Sequence, residues 1–161
     1  MRYFTLFILC LIFWILLTFK ITLPNVITGT VASIICTLFF GRFFIKNVNK
    51  LLQPQRYFWF IIWLFVFVWE CIKANFDVAY RVLHPAMPIR PGIVKVKTTL
   101  QSDMAKMLLA NSITMTPGTI SVDIIDNELY IHWIYIRSED PEEYTVMITG
   151  AFEKYIKRII E

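Results

Sequence analysis

Acidic side chains are almost missing from the front of this chain, where Glu70 is the only one in the first 76 residues. Histidine, glycine and cysteine are scarce throughout, at two, five and three residues. These shortages remove most chemistry. A Ser or Cys nucleophile needs a nearby base, and the two histidines, His84 beside an apolar segment and His132 within a strand pattern, sit in no recognisable motif. A metal centre needs several close-set His, Cys or carboxylates; the run Glu139, Asp140, Glu142 and Glu143 reads better as the start of a helix, whose amide dipoles favour negative charge. The glycines have no phosphate-loop spacing. The sequence therefore predicts no enzyme, no cofactor and no metal. Cys10, Cys36 and Cys71 lie far apart within apolar segments, without C-x-x-C spacing, and read as small hydrophobes.

What the chain has instead is apolar mass. Of its 161 residues 57% are hydrophobic and 16% aromatic, against roughly half apolar in an ordinary soluble domain. The apolar residues crowd the front. Charge divides the same way: residues 1–97 hold eleven Lys/Arg against Glu70 and Asp77, whereas residues 98–161 hold five against ten Asp/Glu. The basic residues flank apolar runs and form no stripe of the kind that tracks a phosphate backbone, so membrane lipid is the expected partner and nucleic acid is not.

Three hydrophobic segments follow one another at about 4–19, 21–40 and 57–80. The first has the charged start and apolar middle of a signal peptide, but the residues after Lys20 offer no small-x-small cleavage site, so it is read as retained. The second carries no charge over a length sufficient to cross about 30 Å of hydrocarbon. In it Gly29, Ser33, Thr37 and then Gly41 recur every fourth residue, which either opens one face for close helix packing or is chance composition. The stretch 41–56 holds Arg42, Lys46, Lys50 and Arg56 with no acid, as a cytoplasmic loop does. The third segment is densely aromatic and continues through Glu70, Lys73, Asp77 and Arg81, whose spacing puts alternating charges on one helix face. These four, with Gly29, Ser33 and Thr37, are the candidate helix-packing or intersubunit contacts.

Residues 1–84 thus form a membrane part, and Pro85, Pro88, Pro91 and Gly92 make a stiff connector over 85–92. Beyond it the sequence period changes, and residues 93–161 predict a small α+β domain of order β-α-β-β-α. Val94 and Val96 alternate with Lys95 and Lys97. Ser102 caps a short helix to about Asn111, with Met104, Met107 and Leu108 inward. Ile120, Val122 and Ile124 alternate with Thr119, Ser121 and Asp123 as a strand, and Asp126-Asn127 turns it into a hairpin with 128–136. Asp140, Pro141 and Glu143 start one last helix, with Tyr144, Ile148, Ala151, Tyr155 and Ile159 buried. Thr116-Pro117-Gly118-Thr119 has the chemistry of a type II turn, which needs no function beyond joining helix to hairpin.

ECIKANFDV at 70–78, NSITMTPGTISVD at 111–123 and LYIHW at 129–133 resemble the E subunits of the Mrp-type multisubunit cation/proton antiporters. The likeness covers most of the chain, with Thr116, Pro117, Gly118 and Thr119 as its most specific motif. It implies a multi-pass accessory component of a bacterial inner-membrane complex exchanging Na⁺, or in some members K⁺, for protons. It also implies large companion subunits that carry the ion paths, and a cytoplasmic C-terminal domain. The alternative is a membrane-anchored adaptor whose αβ domain binds a soluble partner. Orientation is under tension, because 41–56 and 73–97 are both basic and one hydrophobic segment separates them. Either all three segments span and 41–56 lies outside, or one segment lies partly in the membrane interface.

Overall fold

A computed structural model describes residues 2–42 and 53–161, and the basic stretch at Lys46 and Lys50 falls outside those residues. The chain divides into two compact units, Met1–Gln53 and Pro54–Glu161.

The first unit is an antiparallel pair of apolar helices, α1 (Arg2–Thr18) and α2 (Leu23–Phe40). Phe19 adopts a positive φ of 49° at the turn between them. Asn25 closes that turn: its amide donates to Thr18 Oγ1 at 2.9 Å and to the Lys20 carbonyl, and its Oδ1 accepts from Trp14 Nε1 at 3.1 Å. Pro24 in the first turn costs no hydrogen bond, since the leading amides of a helix have no intrahelical partner. Gly29, Ser33 and Thr37 are the buried residues of α2. A Cβ added at Gly29 would overlap the Trp14 ring, and one at Gly41 would overlap Tyr3, so the small-residue face packs on this chain's own α1. Cys10 and Cys36 meet across the same contact, sulfur to sulfur at 3.7 Å.

The second unit begins with α3 (Pro54–Leu83), a single helix of 30 residues. By length and composition α2 and α3 are the two described helices able to cross a membrane, and α1 is shorter. The order then runs β1 (Gly92–Lys97), α4 (Asp103–Met115), β2 (Thr119–Ile125), β3 (Glu128–Trp133), α5 (Pro141–Thr149) and α6 (Glu153–Ile160). The three strands form an antiparallel sheet in the order β1-β3-β2. Val94, Val96, Leu129 and Ile131 point from it into a core shared with Leu109, Ile113, Ile148, Phe152 and Ile156, and Trp63 of α3 joins that core. Lys95 pairs with Glu128 at 3.1 Å, and that hydrogen bond raises the lysine's pKa above its ordinary value. By packing, α3 groups with the residues that follow it rather than with the membrane part to which sequence assigned it.

Three local expectations are corrected. Helix α4 runs on to Met115 and buries Ala105, Leu109, Ser112 and Ile113, while Met104 and Met107 are exposed and Leu108 is half-buried. The apolar alternation of β2 does not mark one inner face, because the register shifts between Ser121 and Asp123. Ile120 and Val122 are exposed, and Ile124 returns to the side of buried Leu129. The final helix is two helices, broken at Gly150 to Phe152, so the order ends in α-α. The break lets Phe152 enter the core at 3% exposure.

The caps form as their chemistry dictates. Ser102 accepts from the Ala105 amide, and Asp140 accepts from the Glu142 amide with Pro141 in the first turn.

Candidate functional site

Helix α3 turns one stripe toward the αβ domain along nearly its whole length. At its start the Arg56 guanidinium donates to the carbonyls of Ile159 (2.5 Å) and Glu161 (3.2 Å). A turn later Trp59 faces Tyr155, ring centres 6.3 Å apart, and Arg158 lies over the Trp59 ring at 4.1 Å. Trp63 stacks on Phe67 at 5.5 Å, and Phe67 meets Phe152 at 6.2 Å. Trp63 is buried, and its indole N–H has no hydrogen-bond partner among the described residues.

Beyond the aromatic half the same stripe becomes charged. Lys73 Nζ donates to Glu70 Oε1 at 2.7 Å, three residues apart on the helix. Both ends of that pair reach solvent, so it is worth about 0–1 kcal/mol. Asp77 and Arg81 make a two-pronged pair, Nε to Oδ2 at 2.9 Å and Nη2 to Oδ1 at 3.0 Å. Arg81 is 7% exposed, lies 3.9 Å over the Tyr135 ring and donates to the Pro88 carbonyl at 2.8 Å. Burial of a guanidinium is tolerated where donors find acceptors and the charge finds a partner, and here both conditions are met. A third cation, Arg137, reaches Asp77 Oδ1 from the segment after β3 at 3.2 Å.

These charges border an open cleft of about 320 Å³ between α3 and the αβ domain. Glu70, Lys73 and Asp77 form one wall, and the turn Thr116, Pro117, Gly118 and Thr119 forms part of the other. Gly118 has φ +91° and the Thr119 amide donates to the Thr116 carbonyl at 3.3 Å, the geometry of a type II turn. The turn is held from below, where Thr119 Oγ1 donates to the Ile113 carbonyl at 2.7 Å. Cβ space at Gly118 is bounded by Ile134 Cγ2 at 3.0 Å and by Val78 Cγ2 of α3 at 3.4 Å, so the turn abuts the helix.

The structure thus joins two groups that sequence treated separately: three of the four ladder charges and the Thr-Pro-Gly-Thr turn share one cleft. Arg81 lies one turn beyond it, tied to Asp77. Gly29, Ser33 and Thr37 belong to the other unit and contribute nothing to the cleft. Sequence reading missed Arg137 and Tyr135. The signal for Arg137 was present, since it is the only Lys or Arg between Lys106 and Lys154. Among the described residues no group of three or more His, Cys, Asp or Glu could hold a metal. What the cleft can do is hold an internally neutralised charge set against a rigid turn, a surface suited to recognition.

Residues 7–159 match the family described as Na⁺/H⁺ ion antiporter subunit. The E subunit of the Bacillus subtilis Na⁺/H⁺ antiporter is 36% identical over 152 residues, covering 91% of this chain and 90% of that protein. The E1 subunit of a Na⁺/H⁺ antiporter from Staphylococcus epidermidis is 31% identical, covering 93% and 92%. Among solved structures, a chain in the membrane-bound sulfane sulfur reductase, an archaeal respiratory membrane complex, matches with a TM-score of 0.78 and 42% identity over 99% of both chains.

Proposed function

Because this chain belongs to the family of Na⁺/H⁺ antiporter E subunits, we propose that it is an accessory membrane component of a multisubunit cation/proton antiporter, holding companion subunits together without carrying ions itself. It is a component of a transporter family, not of an enzyme family. The observation that carries the accessory role is the state of its charges. Across residues 3–40 the only ionisable cation is Lys20, and no acid is present. Glu70, Lys73, Asp77 and Arg81 of α3 are paired with one another or with Arg137, and Arg56 bonds the Ile159 and Glu161 carbonyls, all on the side of the helix that faces the αβ domain. Ion translocation wants a succession of ionisable groups inside the membrane, ready to exchange partners. This chain offers paired charges at the foot of a domain.

The cation is Na⁺ on the strength of the family, with K⁺ as the other ion the resemblance implies. We place the chain in the cell membrane as a multi-pass protein with its αβ domain in the cytoplasm. The hairpin of α1 and α2 brings Tyr3 next to Gly41 and so sets Arg2 and Arg42 at the same end, the end that positive charge favours on the cytoplasmic side.

The likeness to a chain of an archaeal respiratory membrane complex favours a second reading, in which the companions include redox subunits. Affinity purification of this chain from its native membranes in mild detergent, followed by native mass and identification of the co-purified proteins, separates the readings. Antiporter-type subunits alone support the first, and co-purified redox subunits support the second. The chain alone, or bound to a soluble protein, means a membrane-anchored adaptor.

A further inference from the structure

Helix α3 has the length and composition of a span, yet it is fixed to the αβ domain at both ends. Arg56 bonds the last carbonyls of the chain, and Arg81 packs on Tyr135 and bonds the Pro88 carbonyl. At 1.5 Å per residue those two anchor points are roughly 38 Å apart along the helix, more than the about 30 Å of bilayer hydrocarbon. If α3 crossed the bilayer, the domain would be drawn in beside it. That domain has two sheet edges, β1 and β2, and exposed charges such as Lys154, Lys157 and Arg158, and neither open sheet edges nor such charges persist in hydrocarbon.

The opposite face of α3 is built for a different neighbour. Phe58, Ile61, Phe65, Trp69, Ile72 and Phe76 recur at spacings of three and four, and all are exposed, Phe65 at 73% and Phe76 at 74%. No charged residue falls in that stripe, whereas Glu70, Asp77 and Arg81 lie on the domain side. We infer that α3 does not span the membrane but lies in the plane of its anionic, cytoplasmic interface, with the aromatic stripe sunk among the lipid chains and the αβ domain carried on the water side.

Three features identify lipid as the occupant. The sequence that leads into α3 carries Arg42, Lys46 and Lys50 with no acid, and Arg56 opens the helix, so this part of the chain supplies the positive charge that anionic head groups attract. Tyr57, Trp69 and Tyr80 are exposed along α3, and such rings with polar tips settle at head-group level. The connection from Phe40 to Pro54 can span on the order of 50 Å when fully extended, enough to let α3 begin at the membrane surface on the side where α2 ends. The arrangement also removes the charge conflict of the sequence. With α2 and α1, whose 17 residues reach the short limit of a span, as the crossings, the basic stretches 41–56 and 73–97 fall on the same side.

The test is thiol mapping in the full chain, co-expressed with its companion subunits, with Cys10, Cys36 and Cys71 replaced by Ala. Single cysteines are placed as Gln55→Cys and Ala79→Cys at the two ends of α3, and as Lys20→Cys between α1 and α2. With a membrane-impermeant maleimide, Gln55→Cys and Ala79→Cys are expected to react in inverted vesicles and not in intact cells, and Lys20→Cys the reverse. Reaction of Gln55→Cys and Ala79→Cys from opposite sides overturns the inference. A bimane fluorophore on Phe65→Cys then identifies the neighbour. Stronger quenching by a nitroxide carried high on the lipid chain than by one near its end is expected. Stronger deep quenching overturns the in-plane placement, and no quenching by either overturns lipid in favour of a protein cover. These readouts do not depend on which subunits co-purify, so they stand apart from the test of the proposed function.

Discussion

Arg137 reaches from the segment after β3 to Asp77 on α3, Nη2 to Oδ1 at 3.2 Å, and so shares a carboxylate already held by Arg81. Among the described residues the Asp77 carboxylate is therefore the anion that pairs with the buried guanidinium and ties the helix to the domain. Asp77→Asn strands Arg81, and removing one partner of a buried pair costs about 3 kcal/mol. Arg137→Gln removes only the exposed arm and costs less than about 1 kcal/mol. Thermal unfolding of the assembled complex, followed by release of this chain, is expected to fall clearly for Asp77→Asn and hardly for Arg137→Gln.

Gly118→Val is expected to destabilise the αβ domain by at least about 1 kcal/mol, because a β-branched residue is strained at φ +91°. The added side chain also meets Ile134 at the base of the cleft. Limited proteolysis in the 116–119 turn, faster in the variant than in the parent, is the check.

The indole N–H of Trp63 has no partner among the described residues, so its value lies in the ring and not in the polar atom. Trp63→Phe keeps a ring against Phe67 and is expected to lower stability far less than Trp63→Ala, which costs about 3–5 kcal/mol. Comparison of detergent-resistant complex yield for the two variants measures the difference.

Cys10 and Cys36 stand in contact, so mild oxidation of membranes is expected to join them within one chain and leave Cys71 as the free thiol. Gly29→Leu forces Trp14 off α2 and is expected to lower the yield of that disulfide several-fold, a separation of helices worth about 1 kcal/mol or more. Mass spectrometry of the intact chain after thiol capping reads both.

Much of this architecture is written in short-range chemistry. Ser102, Asp140 and Pro141 name their helix starts because a cap needs a side-chain oxygen and the first helical position needs no amide, and Gly118 names its turn because few other residues accept its φ. What failed depended on partners. The bulge leaves Val122 of β2 without a partner on β3, so Ile120 and Ile124 fall on opposite faces, and no periodicity within β2 reveals it. The α4 face was misjudged because Met104 and Met107 are as apolar as the smaller residues that pack. The cleft brings Glu70 beside Thr116, residues far apart in the chain. A hint existed: Trp59, Trp63, Phe67, Glu70, Ala74 and Asp77 share one helix face, so the face that bears the charges also carries the aromatic anchors.

The central claim, that this chain supports the complex without lining its ion path, is tested most directly at Glu70 and Lys73. The complex containing Glu70→Gln and Lys73→Gln together should be purified, reconstituted in vesicles and assayed for cation-driven proton movement, normalised to assembled complex. Loss of an exposed pair worth about 0–1 kcal/mol predicts at most a modest fall in assembly, with an unchanged apparent affinity for the cation and an unchanged cation-to-proton ratio. A shift in either of those two quantities in fully assembled complex would place these residues on the ion path and contradict the account.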